Sequence, residues 1–209
     1  MITIKQYEPS MQSDIETCFR SCVESLGWEY QPRGRHSDIL HIENMYMRDG
    51  SFWCLFLDNK LIGMVAVRCI DRKNNIAEMK RLYILPKYQG KGYGDMLFKY
   101  ALDYAKEQGY SVMRLDTRHD RAASLHLINK YKFQRVERYN DNEFAELYFE
   151  LDLTKHDMGG FGINITIRPA VLTDAPDMAE VHMRSWEVAY KDIIPAEYIK
   201  EKNATRPAM

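Results

Sequence analysis

The stretch Arg81-Leu-Tyr-Ile-Leu-Pro-Lys-Tyr-Gln-Gly-Lys-Gly-Tyr-Gly94 runs from an apolar strand through a glycine-rich turn into an amphipathic helix. Amides at a helix N-terminus lack intrahelical partners and sit at the positive end of the macrodipole, so this turn reads as a pocket for a pyrophosphate. Gly90, Gly92 and Gly94 tolerate positive φ and keep Cβ atoms out of the approach. Two rival phosphate motifs fit poorly. The spacing is not G-x-G-x-x-G, and Gly90-Lys91 is followed by glycine where a Walker loop needs Ser or Thr. Lys91 and Tyr93 would shield the pyrophosphate and Lys87 would reach other phosphate groups; each lysine has the alternative of being a solvated cation.

The elements that must hold this turn follow from periodicity. Leu97, Ala101, Tyr104 and Ala105 form one apolar stripe behind the glycines, which predicts the helix. Upstream, Ile2–Tyr7 alternates like a strand, and the spacing of Ile15, Cys18, Phe19, Cys22, Val23 and Leu26 predicts a helix over Ser13–Leu26. The aromatic and charged segment Gly27–Gly50 is either a substrate-facing loop containing a helix or a surface connection anchored by a few rings. Phe52–Leu57 and Leu61–Ile70 are β-rich runs joined by Asp58-Asn59-Lys60, a hairpin signal. Ala77–Leu85 is the next strand. After the glycine turn and its helix come a strand at Val112–Leu115, a helix at Ala122–Lys130, and strands at Phe133–Val136 and Phe144–Leu151. This order implies an α/β fold with a mixed, mostly antiparallel central sheet and helices on both faces.

Composition narrows the partners. The 209 residues are 45% hydrophobic and 28% charged, as expected of a globular protein that fills a core and wets its surface. Lys plus Arg number 29 against 30 for Asp plus Glu, so no global field draws nucleic acid or an anionic membrane, and any charged partner must be recognised locally. The N-terminus lacks the apolar core of a signal peptide and no segment has the length of a membrane span, which makes a cytoplasmic protein the expectation. Cys18, Cys22, Cys54 and Cys69 lack zinc-site spacing and read as small buried residues; no metal is expected.

The segment Gln89-Gly-Lys-Gly-Tyr-Gly94 resembles the Q/R-x-x-G-x-G/A acyl-CoA signature of the GNAT superfamily of N-acetyltransferases, with Gln89, Gly92 and Gly94 in the defining places. The order of elements over residues 1–153 is similar to the fold of that family. The resemblance implies acetyl-CoA as co-substrate, bound by Gln89, Gly90, Lys91, Gly92, Tyr93 and Gly94 at its pyrophosphate. It also implies contacts from Leu82, Tyr83 and Ile84, in the stretch whose backbone pairs with the pantetheine arm in the family.

A lysine-like amine has a pKa of about 10.4 and needs a base before it can attack a thioester. Glu78 resembles the strand glutamate that many of these enzymes use for this. Its alternative is a charged residue on a solvent-facing strand position, because Glu78, Lys80 and Leu82 share a face unless a bulge intervenes. Ala122–Phe133 is similar to the family's A-x-x-L-Y-x-K-x-G-F helix and turn but departs from it twice. Ile128 stands in the place of the tyrosine that commonly protonates the thiolate, and Lys132 in the place of glycine. Tyr131, one helical turn from Ile128, could substitute, but reads better as a half-buried helix-end aromatic; water could also suffice, because a thiolate with a reference pKa of about 8.5 is a fair leaving group.

The expected activity is direct N-acetyl transfer to a primary amine of a small molecule or peptide, without a covalent enzyme intermediate. A catalytically weak CoA-binding or regulatory module, or an interaction domain, is the alternative. Beyond a polar, glycine-rich linker at 154–162, Ile165-Thr-Ile-Arg168 echoes Ile2-Thr-Ile-Lys5, so residues 163–209 are expected to be the N-terminal fragment of a second GNAT-like domain. A fragment of that size buries too little apolar surface alone and would pack on the first domain, pair with another chain, as in a homodimer, or stay partly disordered if it is cut from a longer protein.

Overall fold

Asp58 and Asn59, both with positive φ (49° and 62°), close a two-residue turn that sets β2 (Ser51–Leu57) against β3 (Lys60–Asp71), with Leu57 opposite Lys60. In the computed structural model, which describes residues 1–155, this hairpin is the centre of a four-strand antiparallel meander. The meander is completed by β1 (Ile2–Gln6) and β4 (Ile76–Ile84). The chain then crosses over through α3 (Tyr93–Glu107) to β5 (Val112–Thr117), the parallel neighbour of β4. After α4 (Ala122–Lys130), β6 (Gln134–Val136) and β7 (Leu147–Asp152) finish the sheet in the order β1-β2-β3-β4-β5-β7-β6. This is the mixed, mostly antiparallel sheet expected from the pattern. The described residues all fall within the first of two units, Met1–Gly160. The expected linker (beyond its first two residues) and partial repeat lie outside them.

Each face of the sheet has its own core. On one, α1 (Gln12–Ser25) and the short α2 (Ile42–Tyr46) press Ile15, Phe19, Val23, Ile42 and Tyr46 onto Phe52, Cys54, Met64 and Ala66. On the other, α3 and α4 press Leu97, Phe98, Ala101, Leu102 and Ile128 onto Val65, Val67, Met79 and Met113. Each such large apolar side chain removed from water contributes roughly 1.5–3 kcal/mol. All four cysteines are free thiols, and three of them are buried.

α1, α3 and α4 end in the same way. In each, a left-handed residue follows the last turn and two amides fold back onto the final carbonyls: Trp28 and Gly27 on Val23 and Glu24, Tyr110 and Gly109 on Ala105 and Lys106, Phe133 and Lys132 on Ile128 and Asn129. Gly27 and Gly109 take the left-handed position in the first two; in the third it is Lys132, at φ 59°.

Candidate active site

β4 and β5 pair only where Ile76–Glu78 meets Val112–Arg114. Beyond that point β4 continues to Ile84 bonded to β3 alone, and β5 continues to Thr117 bonded to β7 alone, so a groove opens between them. The cause is a bulge. Arg81 has φ 57°, and Ala66 pairs with Lys80 while Met64 pairs with Tyr83, leaving two residues of β4 opposite one of β3.

The bulge reverses which side chains face which helix layer. Ala77 and Met79 belong to the core under α3, and so do Leu82 and Ile84, whereas Tyr83 packs on the α1 side, edge-on to Phe19 at 5.0 Å. Leu82 is thereby separated from Glu78 and Lys80, which remain together on the opposite face.

At the end of the groove the glycine turn faces solvent. Gly90 and Gly92 have φ of 73° and 82°, and Gly92 is the N-cap of α3 with no side-chain capping bond. Among the described residues, the amides of Gly90 to Asp95 donate no hydrogen bond, while Met96 begins the ladder by donating to Gly92. A Cβ on Gly90 or Gly92 would meet nothing within 4 Å, so glycine is required there by φ and not by crowding.

The side chain of Gln89 donates to the Ile84 carbonyl at 2.9 Å and so fastens the turn to the end of β4. Lys87 and Lys91 stand 5.0 and 5.7 Å from the Tyr88 ring, two cations beside the open amides. Tyr93 packs against the core, and a Cβ added to Gly94 inside α3 would stand at ordinary contact distance from Ile84 and Leu127.

Glu78, the sequence candidate for a base, is 0% exposed. Arg68 Nε donates to its Oε2 at 2.8 Å, and Tyr139 and Asn140 donate to its Oε1, each at 2.9 Å. This carboxylate is not on the wall of the cleft, so the arrangement offers no direct contact between Glu78 and an acceptor amine.

The cleft wall carries a second carboxylate, Asp116. Lys80 and Asn140 donate to Asp116 Oδ2 at 2.9 and 2.7 Å, and Asn142 donates to Oδ1 at 3.0 Å. Burial works to raise the Asp116 carboxyl, but the Lys80 ammonium and the two amides outweigh it and hold it below its ordinary value. Asn140 bridges the two carboxylates, which makes Glu78 and Asp116 parts of one network.

Part of the remaining wall comes from Gly27–Gly50, the segment with two open readings, which lines the cleft through Trp28, Arg35, His36 and Asp38. Arg81, turned to this side by the bulge, donates through both Nε (2.7 Å) and a terminal nitrogen to the Asp38 carboxylate, which also accepts from the Tyr46 hydroxyl. Burial raises the Asp38 carboxyl, and Arg81 and Tyr46 more than reverse it. His36 is driven down to about 4 by burial and by Arg81 and Arg35, so the ring is neutral at physiological pH. The cleft encloses about 440 Å³, within the range of small-molecule sites.

Ile128 lines this cleft, where the resembling family has tyrosine. The Tyr131 hydroxyl is occupied elsewhere, donating to Asp95 at 3.0 Å while its ring stacks on Phe98 at 4.9 Å. Among the described residues no group of three or more His, Cys, Asp or Glu could hold a metal ion, and no helix is long and apolar enough to cross a membrane.

Known proteins resemble this chain in sequence and in fold. Over 103 residues the chain is 31% identical to an N-acetylaspartate synthetase of Rattus norvegicus, which covers 48% of this chain and 34% of that relative. It thus spans about a third of the length of such curated relatives. A Schizosaccharomyces pombe protein described as an uncharacterized N-acetyltransferase is 34% identical over 37% of this chain and 48% of its own.

Among solved structures, a Staphylococcus aureus GNAT acetyltransferase superposes with a TM-score of 0.67 at 18% identity, over 73% of this chain and 99% of that one. The Thermoplasma acidophilum PaiA N-acetyltransferase in complex with coenzyme A gives 0.58 at 22% identity, over 73% and 99%. The Salmonella typhimurium yncA protein, solved with acetyl-CoA, gives 0.59 at 19% identity, over 75% and 96%. The family model described as Acetyltransferase (GNAT) family matches residues 11–133, more than half of the sequence, and the chain belongs to that family.

Proposed function

We propose that this chain is an N-acetyltransferase that moves the acetyl group of acetyl-CoA directly to a primary amine of a small molecule or peptide. The observation that carries the reading is the row of unbonded amides from Gly90 to Asp95, at the positive end of α3 and at the end of the groove between β4 and β5. The free edge of β4 beyond Glu78 suits the amides of a pantetheine arm, which can add to it as another strand. The GNAT structures solved with CoA and acetyl-CoA support the same co-substrate. The relatives named for N-acetylaspartate support an amino acid as the amine.

Acetyl-CoA supplies an activated thioester; the acceptor ammonium first gives one proton to solvent, the free amine then forms the N–C bond as the C–S bond breaks, the nitrogen gives up its second proton and the thiolate leaves. Asp116 faces the cleft as an anion and orients the incoming ammonium. A carboxylate held below its ordinary range is a weak base for a free amine. It is a sufficient one, through a water, once the new N–C bond has made the nitrogen acidic. Glu78 works at one remove: with Arg68, Tyr139 and Asn140 it fixes the bridge that holds Asp116. With Ile128 apolar and Tyr131 turned to Asp95, the thiolate departs without a phenol. Its reference pKa of about 8.5 makes that feasible.

A panel of amines assayed with acetyl-CoA for free thiol release tests the reading. Turnover with at least one amine is expected, and Asp116→Asn should lower kcat about a hundredfold with the KM for acetyl-CoA unchanged. Acetyl-CoA binding by calorimetry with no thiol release from any amine would leave a silent CoA-binding module, and no binding at all would sink the assignment.

A further inference from the structure

Three guanidinium groups meet at one indole on the cleft wall. Arg35, Arg118 and Arg121 lie 4.7, 5.7 and 4.2 Å from the centre of the Trp28 ring, and Arg35 is also 4.6 Å from that of Phe144. All five residues line the cleft, brought together from the segment after α1, the β5–α4 turn and the loop before β7.

Cations this close repel one another, and the carboxylates at hand compensate them only in part. Arg118 and Arg121 share Asp120 at 3.3 and 3.1 Å, itself 55% exposed, and Arg118 also reaches Glu146 at 3.4 Å. Arg35 meets rings and the neutral His36 but no carboxylate among the described residues. The Nε of Arg121 is buried with no hydrogen-bond partner, a donor taken from water and given nothing in return. Arg121 also precedes α4, whose N-terminus has no side-chain cap, so the helix dipole adds to the positive potential. A planar fork stacked on an aromatic ring is well suited to binding a carboxylate.

We infer that the Trp28–Arg35–Arg118–Arg121 cluster is the anion subsite of the acceptor, and that the acceptor is a small amine carrying carboxylates, of the acidic amino acid class. The inference rests on the acetyl-transfer reading. A cleft of about 440 Å³, partly taken by the acetyl end of the co-substrate, favours a small molecule over a folded chain end. Asp116 on the same cleft, already shared with Lys80, offers the ammonium an acceptor oxygen, while the carboxylates meet the guanidinium cluster. The phosphates of CoA have a separate seat in the glycine turn.

The full chain, with CoA present, is titrated calorimetrically with L-aspartate, L-glutamate, L-asparagine, L-glutamine and 1,4-diaminobutane, and the same amines are assayed with acetyl-CoA. One of the two acids should bind at least tenfold more tightly than its amide, and the preference should weaken as salt rises. R35Q and R121Q should each weaken the acid about tenfold, the size of one lost charge-assisted bond, with the KM for acetyl-CoA within twofold of its starting value. R35K should fall between, because it keeps the charge and loses the fork. Equal binding of acid and amide, preference for the diamine, or losses falling on acetyl-CoA would overturn the subsite. Binding and turnover are read separately, so acid-selective binding without thiol release would retain the subsite and refute the transfer reading. Turnover without acid preference would do the reverse.

Discussion

At the glycine turn the groups open to solvent are main-chain amides from one unbroken stretch, Gly90 to Asp95, whereas the cleft wall is made of side chains from many. They come from the end of α1 and the segment after it, α2, β3, the bulged part of β4, α3, the end of β5 with the turn after it, α4 and the loop from Asn142 to Ala145. The turn needs only φ values that glycine reaches freely. The wall and the layer behind it need each carboxylate to find its cation: Asp38 with Arg81 and Asp116 with Lys80 on the wall, Glu78 with Arg68 behind it. Damage to the wall should therefore appear first in folding, and damage to the turn first in binding.

The largest effect is expected at Asp38→Ala. Arg81 and Asp38 are 16% and 10% exposed, so the variant leaves a guanidinium enclosed without its counter-charge and should cost about 3–5 kcal/mol of stability. In a chain of this length that corresponds to a fall in Tm of roughly 10 °C. The sign with pH follows from the direction of the Asp38 shift. Its carboxyl is held lower in the folded state than in the unfolded chain, so the pair contributes fully above the ordinary carboxylate range and its contribution is lost as pH falls through and below that range. Urea melts of the two proteins should converge in acid. A cost under about 1 kcal/mol at neutral pH would class the pair with exposed ion pairs and erase the contrast with the turn.

Gly92→Val should do the opposite. The valine is forced to φ 82° with no clash around it, so the folding cost stays near the 1–2 kcal/mol of left-handed strain. The branched Cβ then stands where an anion would approach the open amides, and the KM for acetyl-CoA should rise tenfold or more with the acceptor KM nearly constant. An unchanged KM for acetyl-CoA, measured under conditions where the variant is folded, would move the phosphate seat away from α3.

The same division governs what the sequence discloses. Ala122–Lys130 was expected as a helix and is one over those residues, and the glycine turn opens α3 as its spacing implies, because periodicity and positive φ are properties of adjacent residues. The strand expected over Phe144–Leu151 is instead Leu147–Asp152. Phe144 faces the cleft, and Asn142 and Tyr148 tie the preceding loop into the wall. Alternation would keep Glu78, Lys80 and Leu82 on one face only in a regular strand. The bulge is carried by Arg81, a residue with no intrinsic preference for φ 57°, so neither the reversal nor the enclosure of Glu78 has a local signature. The bridge through Asn140 joins residues as far as 62 positions apart and exists only once β4, β5 and the last loop have come together.

The smallest effect separates left-handed backbone that serves a ligand from left-handed backbone that only ends a helix. Lys132 holds at φ 59° the position that Gly27 and Gly109 hold at the ends of α1 and α3, with the same pair of amide bonds back to the last turn. Lys132→Gly relieves the Cβ strain but also gives the unfolded chain more freedom. The net gain should be at most about 1 kcal/mol, a rise of roughly 2–4 °C in Tm. Both Michaelis constants should stay where they were, because Lys132 lies on neither the turn nor the cleft wall. A loss of stability would mean that the lysine side chain contributes more than its backbone strain costs. The glycine of the family pattern would then be dispensable here for a reason of packing and not of conformation.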